Sequence, residues 1–73
     1  MSLTPMIEIV FLVEDDLDGG YIAKALEHSI FTQADTIDEL KKMVRDAVIC
    51  HFEQSTCPNR IRLQFVREEV LAL

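Results

Sequence analysis

The chain has 73 residues, of which 49% are apolar and 27% are charged, and it contains two glycines and two prolines. This composition excludes an intrinsically disordered chain and predicts one globular domain over residues 1–73, with a core of about residues 6–67. A chain this short buries only about 60% of the surface that it exposes when unfolded, so we expect subunits to associate.

The charge balance limits the classes of partner. Seven Lys and Arg residues against thirteen Asp and Glu residues give a formal net charge of −6 at pH 7. Nucleic acids and anionic membranes bind proteins through cations that neutralise their phosphates, so neither is expected as a direct partner. A basic protein is the more natural partner. No wholly apolar run approaches the length of about 20 residues that a membrane span requires.

The cysteines and the start of the chain indicate a compartment. Cys50 and Cys57 are too few for a disulfide framework, and no Lys or Arg precedes Lys24 as the basic part of a secretory leader would require. We therefore expect a cytoplasmic protein with reduced thiols. A disulfide between the two cysteines is the less favoured alternative.

Residues 6–14 are β-branched and apolar and end in acidic residues, which predicts a first strand. Side chains alternate between the two faces of a strand, so two sets are expected. One set is Ile7, Ile9, Phe11 and Val13, and the other is Met6, Glu8, Val10, Leu12 and Glu14. Because both sets contain hydrophobic residues, we expect a central strand.

Two further strands are predicted after the first. Asp18, Gly19 and Gly20 tolerate positive φ and predict a tight turn into a second strand over residues 21–27. A third short strand is predicted over residues 29–33, although no Gly or Pro marks the turn before it. Together the three strands form an antiparallel meander.

A helix is predicted to begin after Thr36. Thr36 and Glu39 have the spacing of a capping box, in which the Thr hydroxyl accepts from the Glu39 backbone N–H and the Glu carboxylate reaches back to the Thr36 N–H. Residues 54–59, which contain Pro58, are predicted to follow the helix. Its apolar stripe, at spacings of three and four, consists of Ile37, Leu40, Met43, Val44, Ala47, Val48 and His51.

The periodicity changes to two in residues 60–67, where Ile61, Leu63 and Phe65 alternate with polar residues. This pattern predicts a last strand with one buried and one exposed face. Residues 68–73 either begin a turn of helix or fray. The predicted order is β-β-β-α-β, an α+β fold of two layers: an antiparallel meander with one helix on one face.

One helix covers only one face of such a sheet. Val10 and Leu12 are expected on the other face, although they belong to the most apolar strand. Exposed apolar surface of this kind indicates association. Val10, Leu12 and Tyr21 are therefore the predicted interface with another subunit or a partner.

No catalytic, cofactor-binding or metal-binding residue is predicted. The acidic turn has the oxygen spacing of the start of a calcium loop, but the twelfth position falls on Ala25, where calcium needs a bidentate Glu. Cys50, Cys57, His28 and His51 lack the spacing of a zinc site. A small hydrolase or metal-dependent enzyme that uses His28 or His51 is an alternative from a different class.

Three arginines, Arg60, Arg62 and Arg67, form a basic row on the predicted last strand. Cross-strand pairing with Glu8 or Glu14 is favoured over phosphate binding.

Two stretches resemble the HicB-like antitoxin family. The first is Asp-Gly-Gly-Tyr-Ile-Ala at residues 18–23. The second, Thr-Gln-Ala-Asp-Thr followed by Ile-Asp-Glu-Leu at residues 32–40, is similar to the family's Thr-Gln-Gly-Asp-Thr and acidic residues. Ala34 replaces the family's usual Gly, and residues 27–29 replace its usual Leu-Pro-Gly turn. The resemblance extends from Ile7 to about Phe65.

The resemblance implies a fold similar to a truncated ribonuclease H that lacks the metal-binding carboxylates of that enzyme. It implies a non-catalytic module that self-associates and covers a small basic mRNA-cleaving toxin. Full antitoxins of the family usually continue into an operator-binding domain, so operator binding is not expected of these 73 residues. The alternative is a self-associating domain with no toxin partner.

Overall fold

The computed structural model describes residues 7–73 as an α+β fold. Its elements are β1 (Glu8–Asp15), β2 (Tyr21–Ala25), β3 (Phe31–Ala34), α1 (Ile37–His51) and β4 (Arg60–Phe65). This order confirms the predicted β-β-β-α-β sequence of elements. Met6, the predicted first residue of strand one, lies outside the described residues.

The four strands form one mixed sheet in the order β3-β2-β1-β4. The β1–β2 and β2–β3 pairs are antiparallel and confirm the predicted meander. The chain then crosses through α1 and returns as β4, which pairs parallel to β1 from Glu8 opposite Arg60 to Val13 opposite Phe65. Strand β1 therefore lies between two other strands. This confirms the prediction of a central strand, which was made because both of its faces carry hydrophobic residues.

The core lies between α1 and one face of the sheet. Alternate residues of β1 are buried on this face, and Phe11 is fully buried. Three helix residues one turn apart pack against them. The buried hydrophobic residues are Ile9, Phe11, Val13, Ala23, Ile30, Leu40, Val44 and Val48. The predicted inward side of β1 is confirmed for Ile9, Phe11 and Val13, whereas Ile7 precedes the strand and is 41% exposed.

The β1–β2 turn depends on its two glycines. Gly19 and Gly20 both have positive φ, at 98° and 82°. The turn is closed by hydrogen bonds from the Asp16 N–H to the Gly20 carbonyl and from the Gly19 N–H to the Asp16 carbonyl, each 3.0 Å. The predicted glycine turn is confirmed.

At the turn between β2 and β3, two strand boundaries differ from the predicted ones. The Ala25 N–H donates to the Ile30 carbonyl at 3.0 Å, and the Ile30 N–H donates to the His28 carbonyl at 2.9 Å. These bonds close the connection between β2 and β3, which is residues 26–30. Strand β2 therefore ends at Ala25 rather than at residue 27, and β3 begins at Phe31 rather than at residue 29.

Helix α1 begins directly after Thr36, as the spacing of Thr36 and Glu39 predicted. The Thr36 hydroxyl oxygen accepts from the Glu39 N–H at 3.1 Å, and the Phe52 N–H closes the last turn on the Val48 carbonyl. The apolar stripe is narrower than predicted. Met43 is 44% exposed and His51 is also exposed. Each residue turns the helix by about 100°, so positions beside the Leu40–Val44–Val48 row face outward.

The helix lies off-centre over the sheet. It packs mainly on β3 and β2, so the inward side chains of the edge strand β4 are covered only in part. Ile61 and Leu63 are half-buried, but Phe65 is 57% exposed. Phe65 pairs with Val13 and so lies on the same face as α1, but the prediction that it is buried is wrong because α1 lies over β2 and β3, at the other edge of the sheet.

Residues 66–73 contain neither helix nor strand, so the predicted alternative of a final helical turn is wrong. Val70 is 94% exposed and Leu71 is 84% exposed.

Within residues 7–73, no helix is both long enough and apolar enough to cross a membrane.

Candidate protein-interaction surface

The face of the sheet turned away from α1 is uncovered within residues 7–73, and we call it the open sheet face. The pairing of the strands shows which residues belong to this face, because the side chains of paired residues on neighbouring strands point to the same side of the sheet. They are Glu8, Val10, Leu12, Glu14, Ile22, Lys24, Phe31, Gln33, Arg60, Arg62 and Gln64.

The apolar residues of the open sheet face lie on the three strands of the meander, β1, β2 and β3. Val10 and Leu12 are half-buried on the central strand, Ile22 is half-buried on β2, and Phe31 is 55% exposed on β3. The structure thus places Val10 and Leu12 on the uncovered side, where the sequence predicted them. Their role in an interface stays a prediction.

Tyr21 lies on the opposite face. It is paired with Asp15 and Ala34 at the end of the sheet, and register puts it on the side of Val13 and Ala23. There it packs partly buried against the core. Tyr21 therefore cannot share a surface with Val10, and its predicted place in that interface is wrong because the β1–β2 register turns odd-numbered residues of β2 toward α1.

An ion-pair cluster borders the open sheet face where β1 meets β4. The Arg62 guanidinium donates two hydrogen bonds to Glu8, from Nε at 2.7 Å and from Nη2 at 3.2 Å. Arg60 Nε lies 3.4 Å from the same carboxylate. Chiefly through the hydrogen bond from Arg62, the pKa of Glu8 is lowered, and the pKa of Arg62 is raised in return.

These contacts confirm the predicted cross-strand pairing for Arg60 and Arg62. Arg67 instead lies 3.0 Å from Glu69, so its predicted pairing with Glu8 or Glu14 is wrong. The reason is that β4 ends at Phe65, and Arg67 has left the sheet.

One end of the molecule is strongly acidic. The β1–β2 turn and the start of α1 meet there because β1 and β3 end at the same edge of the sheet. Asp16, Asp35 and Glu39 line a shared depression of about 280 Å³. We call this region the acidic end; its acidic residues are Glu14, Asp15, Asp16, Asp18, Asp35, Asp38 and Glu39.

The histidines lie at the other end of the molecule in a packing cluster. The rings of His28 and His51 are 5.9 Å apart, and each lies 4.9 Å from the Phe52 ring in an edge-to-face arrangement. Among residues 7–73, no three His, Cys, Asp or Glu side chains are grouped to hold a metal ion. Cys50 and Cys57 are both unpaired thiols.

Two curated proteins are similar to this chain over most of its length. A UPF0150 protein of Thermotoga maritima is 46% identical over 66 residues, which cover 90% of this chain and 93% of the relative. The chain belongs to the UPF0150 family. A UPF0150 protein of Archaeoglobus fulgidus is 60% identical over 50 residues, covering 68% of this chain and 74% of that protein. No protein-family model matches the chain, and no solved structure matches it.

Sequence reasoning missed Ile22 and Phe31 as parts of the open sheet face of this UPF0150 member. Both residues can be assigned to this face once the hairpin registers are known, because side chains alternate along a strand and paired residues share a face. Ile22 pairs with Glu14, and Phe31 pairs with Lys24. The signal available in the sequence was the length of each turn, which sets the register of a hairpin.

Proposed function

We propose that this chain is a non-catalytic protein-binding domain. In this proposal it is a HicB-like, antitoxin-type module that self-associates and neutralises a small basic mRNA-cleaving toxin in the cytoplasm. The observation that carries the proposal is the open sheet face, an apolar strip that residues 7–73 leave uncovered and that charged residues border.

The open sheet face supports self-association. Phe31 on this face is 55% exposed, and Val10 and Leu12 are half-buried. A domain of this size gains stability by removing such surface from water. A two-fold contact would bring the same strip of each copy together, with the Glu8–Arg62 pair at its rim.

The two stretches that resemble the HicB-like family meet in space, which supports the proposed relationship. Tyr21 of the first stretch pairs with Ala34 of the second, and Gly20 packs against the Ala34 carbonyl. The meander with β4 returning parallel to β1 also fits the proposed similarity to a truncated ribonuclease H.

The acidic end supports a basic partner. Asp16, Asp35 and Glu39 surround one depression, and the whole chain carries a net charge of −6. A field of one sign accelerates encounter with a protein of opposite charge and selects against acidic competitors.

The test is co-expression with the product of a neighbouring reading frame that encodes a small basic protein. We expect that product alone to arrest growth and deplete mRNA, and this chain to restore growth and co-purify with it. Replacing Asp16 and Asp35 together with Asn should weaken the complex, whereas Glu53→Gln, outside the acidic end, should not. A neighbouring product that is neither toxic nor bound contradicts the proposal.

A second candidate is a self-associating domain with no toxin partner, and the open sheet face favours it equally. It predicts the same self-association, sensitive to Leu12→Asp, but no basic protein in pull-downs. The co-expression experiment therefore separates the two.

A further inference from the structure

A groove runs between α1 and β4, on the face of the sheet opposite to the open sheet face. Because α1 lies over β2 and β3, it leaves two adjoining depressions of about 310 and 340 Å³ beside β4. Arg45 and Ile61 line both depressions, which therefore adjoin each other. Val44 and Leu63 line the first, and Ile49 and Cys57 line the second.

The rim of this groove is basic. Lys41 and Arg45 stand on α1 along its edge, and neither forms an ion pair with any other of residues 7–73. The groove thus combines an apolar floor with two cations that have no ion-pair partner in the described part of the chain.

Segment 66–73 has the complementary chemistry. Val70 is 94% exposed and Leu71 is 84% exposed, although both are large and apolar. Glu68 and Glu69 precede them directly. Within residues 7–73, Glu69 pairs only with Arg67, two residues away, and that pair is largely solvent-exposed and therefore weak.

The length of the groove also matches the length of the apolar end of segment 66–73. From Lys41 to Ile49 the groove follows α1 over eight residue-to-residue steps, or about 12 Å at about 1.5 Å per step. Four extended residues span about 13 Å at about 3.3 Å each, which is the length of residues 70–73. In its own copy this segment instead lies at the end of the sheet, where Val66 and Val70 line a depression with Glu14 and Leu17.

We infer that segment 66–73 of one copy docks in the α1–β4 groove of a second copy. Val70 and Leu71 enter the apolar floor, and Glu68 and Glu69 face Lys41 and Arg45. The inference does not depend on the proposed antitoxin function, and it uses a different face of the sheet from the open sheet face.

Cross-linking between two differently tagged chains tests this arrangement. The donor chain supplies segment 66–73 and carries Cys50→Ser, Cys57→Ser and Leu71→Cys. The acceptor chain supplies the groove; it carries Cys50→Ser and keeps Cys57, which lines the groove. Mild oxidation of the mixture with diamide should give a disulfide-linked heterodimer, because a disulfide forms only when the two Cα atoms come within about 7 Å. A non-reducing gel and peptide mass spectrometry identify the linked residues.

The matched control replaces Leu71→Cys in the donor with Leu17→Cys, since Leu17 is also a highly exposed leucine and lies on the β1–β2 turn. This donor should cross-link much less. Equal cross-linking by both donors, or none by Leu71→Cys, overturns the inference. So does a link that forms only within one chain when Leu71→Cys is placed beside the native Cys57 in a single Cys50→Ser chain.

Charge variants supply a second readout. Arg45→Glu in the acceptor should lower the heterodimer yield by up to about fivefold, the range of an exposed ion pair. Glu68→Arg with Glu69→Arg in the donor should restore it, and Lys42→Glu, on α1 outside the groove lining, should have little effect. Leu12→Asp on the open sheet face should leave the cross-link unchanged, so its survival separates this inference from the proposed function.

Discussion

Gly20 lies directly against the backbone of Ala34. A Cβ placed on Gly20 would stand 2.6 Å from the Ala34 carbonyl oxygen, and Gly20 also has a positive φ of 82°. The two residues belong to the two stretches that resemble the HicB-like family. Their contact closes the corner where the β1–β2 turn meets the end of β3, directly beside the start of α1.

Gly20→Ala should therefore destabilise the fold by about 2 to 4 kcal/mol, since the backbone strain of a positive φ adds to the clash with a backbone oxygen. Gly19→Ala is the matched control, because Gly19 has a positive φ of 98° but, apart from its chain neighbours, no described residue lies within 4 Å of the added Cβ. It should cost only about 1 to 2 kcal/mol. Urea unfolding of both variants measures the difference, and equal losses would show that the close approach does not matter.

Val44 and Phe65 should respond very differently to truncation, although both belong to apolar periodic patterns. Val44 is 1% exposed, so Val44→Ala should cost about 2 to 4 kcal/mol. Phe65 is 57% exposed, so Phe65→Ala should cost about 1 kcal/mol or less in a dilute monomer. Thermal unfolding at low protein concentration compares them. A larger loss for Phe65→Ala would mean that α1 reaches further over β4 than the structure shows.

The contrast between these residues shows which features sequence could predict. The strand β1, the glycine turn and the Thr36 cap depend on signals within a few residues, and all three were predicted correctly. Tyr21 and Phe65 depend on relations between elements. The face of Tyr21 is set by hairpin register, and the exposure of Phe65 is set by where α1 lies across the sheet, which no local pattern encodes.

The open sheet face shows the same division. Alternation along β1 was enough to place Val10 and Leu12 on one side, but joining them with Ile22 and Phe31 required strand pairing. The α1–β4 groove was not predicted at all. It exists because the helix is displaced toward β3, a packing outcome that depends on several elements together.

Thr32→Val should stabilise the protein by about 1 kcal/mol. Thr32 is buried in β3, and its hydroxyl has no hydrogen-bond partner within the described part of the chain. Replacing an unsatisfied buried hydroxyl with a methyl group of similar shape removes a desolvation cost. The same change at Thr36 should cost about 1 kcal/mol, because it removes the hydrogen bond from the Glu39 N–H. Opposite shifts in urea midpoint are expected, and a loss at Thr32 would contradict the assignment.

The Glu8–Arg62 pair should make stability depend on pH in the acid range. The hydrogen bond from Arg62 lowers the pKa of Glu8 below its ordinary value of 4.5. A carboxyl with a lowered pKa stabilises the fold above its unfolded pKa, and this stabilisation is lost as the pH falls through the folded pKa. Wild type should therefore exceed Glu8→Gln in melting temperature at pH 7 and converge with it below pH 4.5. A constant difference down to pH 2 would show that the carboxylate charge is not involved.

Leu12→Asp should disrupt the contact between two open sheet faces while leaving the fold intact. Leu12 lies at the centre of the open sheet face, between Lys24 on β2 and Gln64 on β4. A carboxylate there remains hydrated in a monomer, next to a lysine, but burying it between two apolar strips costs several kcal/mol. Sedimentation equilibrium should show a lower mass than wild type, with an unchanged circular dichroism spectrum. Leu17→Asp, on the exposed turn, is the control and should keep the wild-type mass. If Leu12→Asp keeps that mass too, copies of the chain meet through another surface, and the α1–β4 groove becomes the first place to look.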